Sequence, residues 1–528
     1  SGVPIIKSND GGITFTSISE DNVHADHHVV WVNPNKSGHL INGNDGGLNI
    51  SYDDGAHWFK GNSHGVSQFY AVNVDEQEPY NIYGGMQDNG VWVGPSNYKF
   101  SSEWYQTGKY PYENLIGGDG MQIQIDKRNP NIVFTGFQFG NYYRIDRANN
   151  KRDYISPVQK KGEKPFRYNW QTPILLSSHN QEILYMGSNF LHRSMNQGQT
   201  WTAISPDLTQ GAKEGNVAFG TIAAISESPL QFGLLYTGSD DGLVHVSKDG
   251  GATWNIISGN LPQNRWISRV VASAHKKERV YVTLNGYRND DFTTYVYMSD
   301  DFGQTWINIA TNLPTSPVNV LVEDNVNEDV LYLGTDNGLY VSLNKGSLWN
   351  DFSNGIPNVA VHDLVIQKKA KDLVVGTHGR SIYKVNLEPV QQLNEKVLAE
   401  NLHVFEIKKI KKSKEWGNNW SSWAKAAEPK AEIWFYSDSD AEVVIQVENS
   451  LKEVVFSQKI KAVKGLNNLA YDLSIAKSKA DNWKKKDKKL KLEESKNGKY
   501  YLPISINKIS IQKGKENVFT NLEIIESK

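Results

Sequence analysis

One octapeptide constrains this chain more than anything else in it. SKDGGATW, closing at Trp254, follows the pattern S-x-[D/N]-x-G-x-x-W. The short carboxylate or amide at the third place can accept backbone N–H bonds within a turn. Glycine at the fifth tolerates a left-handed backbone. The tryptophan at the eighth is a large apolar surface able to wedge between neighbouring sheets. Ahead of it, within 234–254, a short β-rich run, the turn GSDDG and the run LVHV read as two strands of a hairpin. The pattern also closes at Phe15, Trp58, Trp201, Trp306 and Trp349, six copies in all. Neighbouring copies lie roughly 43 to 53 residues apart, and the gap from Trp58 to Trp201 holds about three such periods. Two degenerate units are expected inside that gap, and 69–94 and 121–146 read as such. A period of this length, with about four strands per unit, specifies a β-propeller.

At 528 residues the chain exceeds one ordinary core, so two or more domains are expected. Its 56 basic and 58 acidic residues nearly cancel, which leaves no electrostatic footprint for nucleic acid. With no cysteine there can be neither disulfides nor thiolate metal sites, and no cofactor is expected. No apolar run approaches the ~18 residues of a transmembrane helix. The chain opens inside a repeat without a signal peptide, which reads as a processed or truncated product.

In chain order, residues 1–20 supply the outer half of a unit. Complete units follow at 27–62, 68–109, 120–157, 171–205, 219–258, 266–310 and 317–353, and 361–387 has inner strands but no octapeptide. A half-unit at each end suggests closure by pairing the first strands with the last, which removes exposed sheet edges. The expected fold class is therefore all-β, with a propeller of about eight blades, one of them composite, over 1–388. Residues 389–428 read as a connector with a basic run, KKIKKSK, and with Trp416, Trp420 and Trp423. Alternation then returns and predicts a small antiparallel β-sandwich over 429–528. Its Lys-rich insertion, 478–499, reads as a solvated loop.

The octapeptides resemble the Asp-box (BNR) repeats of sialidases, xyloglucanases and sortilin-type ectodomains. Longer phrases resemble a bacterial sortilin-like family often labelled "glycosyl hydrolase". They are HADHHVVWVNPNKSGHLINGNDGGLNISYDDGAHW (24–58), GGDGMQIQIDKRNPNIVF (117–134), FRYNWQTPILLS (166–177), WTAISPDLT (201–209) and VHDLVIQKKAKDLVVGTHGRSIY (361–383). The likeness runs through most of 1–387, and the sandwich resembles the small immunoglobulin-like domain that ends such chains. The resemblance implies an extracytoplasmic protein, whether secreted, periplasmic or at the cell surface. It also implies further propeller blades upstream, as a segment or a partner chain. The family label implies sugar chemistry without defining a catalytic pair.

Propeller geometry sorts the polar residues into two faces. The boxes share one face and read as structural, so Asp10, Asp53, Asp249 and Asp301 are not taken as catalytic. The opposite face gathers the turns between second and third strands: Asn44 and Asp45, Gln87 and Asp88, Gln138, Asn189, Asp240 and Asp241, Arg288, Asp336, and His378 and Arg380 in GTHGR. The segments leading into inner strands add Asp26, His27 and His28 in HADHH and Asp119 in GGDG. Asp and Asn can also simply close tight turns on their own backbone. A glycosidase needs two carboxylates about 5–10 Å apart, for which Asp26, Asp45, Asp88 and Asp119 are the catalytic candidates. His24, Asp26, His27 and His28 offer metal ligands, but adjacent strand residues point to opposite faces, so no metal site is assigned. A ring of polar groups with Trp and Tyr nearby could instead bind a glycan or peptide, with Asp26, His27, Asp119, His378 and Arg380 as the ligand-binding set. Neither a Cys nucleophile nor G-x-S-x-G occurs. A binding or scaffold propeller is the leading expectation, and a polysaccharide-directed glycoside hydrolase is the alternative.

Overall fold

Each repeat of β-branched runs and glycine turns becomes an antiparallel sheet, and seven such sheets have four strands. The computed structural model describes residues 3–19, 22–61, 65–99, 110–215, 217–419, 421, 425–488 and 490–527. They divide into two units, Ser1–Asn386 and Leu387–Lys528. Six four-stranded blades and one three-stranded blade make a ring. Blades 1 to 6 span 69–116, 124–154, 174–203, 222–256, 266–308 and 318–351, and blade 7 spans 361–386.

The octapeptide turn closes in the same way in every copy. In blade 4, Ser247 Oγ donates to Asp249 Oδ1 (2.8 Å) and accepts the Gly251 N–H (2.8 Å). The same carboxylate takes the Thr253 N–H and hydroxyl (2.9 and 2.6 Å). These bonds, those to Thr253 foremost, hold Asp249 down to about 2. The Trp254 indole donates to the carbonyl of Ile204, at the exit of blade 3 (2.9 Å). Trp306 meets Ile257 and Trp349 meets Ile309 in the same way, both at 2.7 Å, and Trp201 meets Ile155. Each octapeptide thus closes its own turn, and the five that end in tryptophan also bolt their sheet to the preceding one.

Ring closure departs from the sequence expectation. Blade 7 packs directly on blade 1. Asp363 Oδ2 accepts the Val72 N–H (2.9 Å), Tyr80 donates to Asp372 (2.9 Å), and the Gly379 and Ser381 amides donate to the Ser67 carbonyl (3.1 Å each). Residues 1–20 therefore do not complete a composite blade with 361–387. The strands Ile6–Lys7 and Thr16–Ser17 pair only with each other, because blade 1 already occupies the place beside blade 7. The N-terminal sheet, 27–61, also lies outside the ring, which has seven blades rather than eight. Trp58 of that sheet donates to Ile18 (2.7 Å), so the 6–17 hairpin stands to it as one ring blade stands to the next. Its inner strand, His27–Val32, exposes Val29, Val30, Trp31 and Val32 by 43 to 60%. The matching residues Ala71 and Val72 of blade 1 are buried.

Five ring inner strands carry a β-bulge at the same level. The extra residue in each is Tyr70, Ala223, Ser268, Asn319 or His362. A bulge re-aims a side chain, and here it does so at the end of the strand next to the turn face.

In the second unit, a three-stranded and a five-stranded sheet share a core that includes Ile433, Phe435, Val443, Ile445, Ile509 and Ile511. Leu402–Val404 and Ile410–Lys411 are strands of these sheets, so the stretch read as a connector belongs to this unit. They are too short to show alternation in the sequence. Trp416 packs on this core, whereas Trp420 and Trp423 lie outside the described residues. Part of the Lys-rich insertion is a helix, Lys477–Lys486, rather than a loop, because Ala480 and Trp483 fall on one face and are buried.

Candidate binding site

The site is built where blades 1 and 2 meet on the turn face. Glycines allow their backbones to touch: a Cβ on Gly120 would lie 2.3 Å from the Gly90 carbonyl, and one on Gly85 2.3 Å from that of Met121. The segment GGDG is therefore zipped to the turn 87–90, through Gly90 N–H to Gly118 O (2.8 Å) and Gly120 N–H to Met86 O (2.9 Å). Between these bonds Asp119 is buried and accepts the Asp88 N–H (2.8 Å), which brings the two carboxyl groups close enough to perturb one another. Burial, followed by the charge of Asp119, raises Asp88 to about 6. The Gln138 Oε1 accepts the Asp119 N–H (3.2 Å).

Aromatic groups frame this carboxyl pair. Tyr70, lifted by its bulge, has its phenol within the influence of the charges of Asp119 and Asp88 and of the Trp170 side chain. Burial foremost raises its phenol pKa. The His378 ring centroid is 5.4 Å from that of Tyr70 and 4.3 Å from that of His362, the two imidazoles being stacked within 12°. Burial lowers both imidazoles, His362 to about 3. The buried His378 Nδ1 has no hydrogen-bond partner among the described residues. On the other side, Phe139 and Trp170 meet edge to face at 5.0 Å and are 44% and 38% exposed. Deeper in the channel, Arg269 of blade 5 reaches Asp363 of blade 7 (2.8 Å) beside a cavity of about 180 Å³.

The expected ligand-binding residues are placed as follows. Asp119 and His378 both neighbour Tyr70. His27 and Asp26 belong to the N-terminal sheet. His27 is buried against Asn42 (2.9 Å), and Asp26 is exposed at φ +60°. That sheet is not a blade of the ring, but its His24 and the Asp45 carbonyl reach the blade 1 turn at Asp88 and Asn89. Arg380 bonds the carbonyl of its neighbour Gly379 (3.3 Å). Of the catalytic candidates, Asp45 is held by His28 (2.6 Å), and Asp88 and Asp119 are in mutual contact. His24 reaches the Asp88 carbonyl (2.9 Å), which sends His24, His27 and His28 to three different partners. Among the described residues no three His, Asp or Glu side chains are grouped to hold a metal ion. Asp240 is spent on Thr221 and Asp241 on Gln210. Sequence reasoning missed Tyr70, Phe139, Trp170 and His362. Tyr70 and His362 share one signal, the second place of an inner strand (F-Y-A-V, V-H-D-L), which means something only once the bulge is known.

Sheets radiating around a channel, four of the seven closed by the same octapeptide turn, define a β-propeller. The profile of the DUF6242 beta propeller domain matches residues 171–383, from blade 3 into blade 7. No curated protein matches the chain. Among solved structures it is similar to the GH74 xyloglucanase from Xanthomonas campestris, at 14% identity and TM-score 0.47, covering 70% of this chain and 58% of that one. It is also similar to PorZ, an essential surface component of the type-IX secretion system of Porphyromonas gingivalis, at 11% and 0.47, covering 98% and 67%. A third likeness is to the extracellular domain of BT3049 from B. thetaiotaomicron, at 10% and 0.43, covering 97% and 64%. No helix among the described residues is long and apolar enough to cross a membrane.

Proposed function

We propose that this chain is an extracytoplasmic, sortilin-like Asp-box propeller that binds a glycan or peptide at its turn face. The observation that carries the reading is the contact between Asp88 and Asp119, whose carboxylate accepts the Asp88 N–H at 2.8 Å. Glycoside hydrolysis by a carboxylate pair needs the two groups on either side of a sugar, about 5–10 Å apart. A hydrogen-bonded pair cannot take those positions. It offers instead several acceptor lone pairs close together, beside uncharged imidazoles and exposed rings, which suits recognition. The test is a glycan and peptide array run with a reducing-sugar assay on wild type, Asp88→Asn and Asp119→Asn. Binding weakened by Asp119→Asn, with no reducing ends released, is the expected result. Reducing ends released by wild type and lost in Asp88→Asn would install the glycoside hydrolase instead.

The N-terminal sheet supports a scaffold role alongside. Its bare inner strand, 29–32, suits an upstream propeller segment or a partner chain that continues the stack. Amide exchange in 27–32 should then be slower in the assembled protein than in this chain alone. Equal exchange would place the docking elsewhere.

A further inference from the structure

We propose that Phe139 and Trp170 form a stacking platform for a neutral pyranose, so that the turn face takes a neutral glycan. This rests on the binding reading above and names its ligand class. Phe139 sits at φ +59°, a left-handed backbone that a bulky aromatic residue adopts only under constraint. Comparable turns of the ring place Asp88, Gly242, Gly338 or Gly379 at positive φ, residue types suited to it. Packing does not explain the exception, because the ring is 44% exposed. Its N–H donates to the Trp170 carbonyl (3.2 Å), which ties the two residues together at the mouth. Trp170 also neighbours the Tyr70 hydroxyl, whose pKa it holds down against burial.

The surroundings choose the ligand. Gln138, next to Phe139, uses its Oε1 on Asp119, and its amide nitrogen has no partner among the described residues. With the Asp88 carboxyl, this puts a donor and acceptors beside exposed ring surface. A molecule with an apolar face and hydroxyls around its rim, a pyranose with equatorial substituents, meets both demands. Charge excludes acidic sugars: Asp45, Asp88, Asp119 and Asp336 all lie on this face, and His362 and His378 are held uncharged by burial.

The experiment titrates wild type, Phe139→Gly, Trp170→Ala and Phe292→Ala with neutral β-linked gluco-, manno- and xylo-hexaoses by calorimetry, and records each melting temperature. Wild type should bind at least one hexaose, and Phe139→Gly should weaken it by about tenfold or more, the scale of a lost stacking contact. The same variant should melt no lower than wild type, since glycine relieves the left-handed strain. A structural residue would not lose binding while keeping stability. Phe292, equally exposed on the blade 5 turn, serves as the control and should not matter. The platform is overturned if no hexaose binds, if only acidic sugars or peptides bind, or if affinity survives both Phe139→Gly and Trp170→Ala. A ligand that needs Asp119 but not Phe139 would leave the binding reading standing and remove the platform. A ligand indifferent to both residues would remove both.

Discussion

Trp254 donates its indole N–H to the carbonyl of Ile204, 2.9 Å away in the preceding blade, and the same isoleucine lies under the glycine of the octapeptide that Trp254 ends. A Cβ on Gly251 would meet the Ile204 carbonyl oxygen at 2.8 Å and its Cδ1 at 2.9 Å. The glycine is thus required twice, for its positive φ and for the close approach of the neighbouring blade. Ile18, Ile155, Ile257 and Ile309 repeat the arrangement under Gly55, Gly198, Gly303 and Gly346.

Trp254→Ala should therefore lower stability by about 3 kcal/mol, the usual cost of a large-to-small change between packed elements. Thermal unfolding reads it, with ligand affinity at the turn face unchanged. An unaltered melting temperature would mean that the wedge does not hold the blades.

Gly303→Ala isolates the second requirement. At φ +87°, with Ile257 Cδ1 2.4 Å from the new Cβ, the change combines strain with overpacking and should cost about 2 kcal/mol or more. Gly259→Ala, with nothing within 4 Å, is the matched control and should change little. Equal denaturation midpoints for the two variants would contradict this account.

Removal of residues 1–65 should leave a folded, soluble ring. The cut takes away the links from His24 to the Asp88 carbonyl and from Asn89 to the Asp45 carbonyl, each worth about 1 kcal/mol net. Closure between blades 7 and 1 is untouched. Aggregation of the shortened chain would mean that the N-terminal sheet is part of the ring.

Stability should fall as the pH drops from about 6.5 towards 4. His192 and His245 are buried, and burial depresses both to about 4. Between that value and the unfolded one the unfolded chain binds more protons, so acid favours unfolding by at most about 1.4 kcal/mol per pH unit for each group. Asp88 acts in the opposite sense: raised to about 6, it adds stability as the pH falls from there. The box carboxylates, held near 2, contribute stability that is fully present above the ordinary carboxylate range and is lost only as the pH falls from about 4 towards 2. Denaturation midpoints at pH 7.5, 6.0 and 5.0 check the slope. His245→Gln, which removes one titrating group, should flatten it, and an unchanged slope would assign the effect elsewhere.

The sequence by itself determined whatever is local to one repeat. S-x-[D/N]-x-G-x-x-W is a self-contained turn whose donors and acceptors lie within four residues, so its period alone specified the propeller and marked its carboxylates as structural. Tertiary structure alone decided what depends on two repeats at once. Whether residues 1–20 or Phe69–Val74 meet blade 7 depends on which edge fits the bonds offered by Asp363 and Asp372, and a terminal half-unit cannot announce that. The site depended on the same level. GGDG and MQDNG look like ordinary turns when read singly, and only the glycine-permitted contact of blades 1 and 2 turns Asp88 and Asp119 into one carboxyl pair. Tyr70 and His362 stayed hidden because a one-residue bulge shifts which side chains reach the channel, and the period-two pattern of a strand carries no trace of that shift.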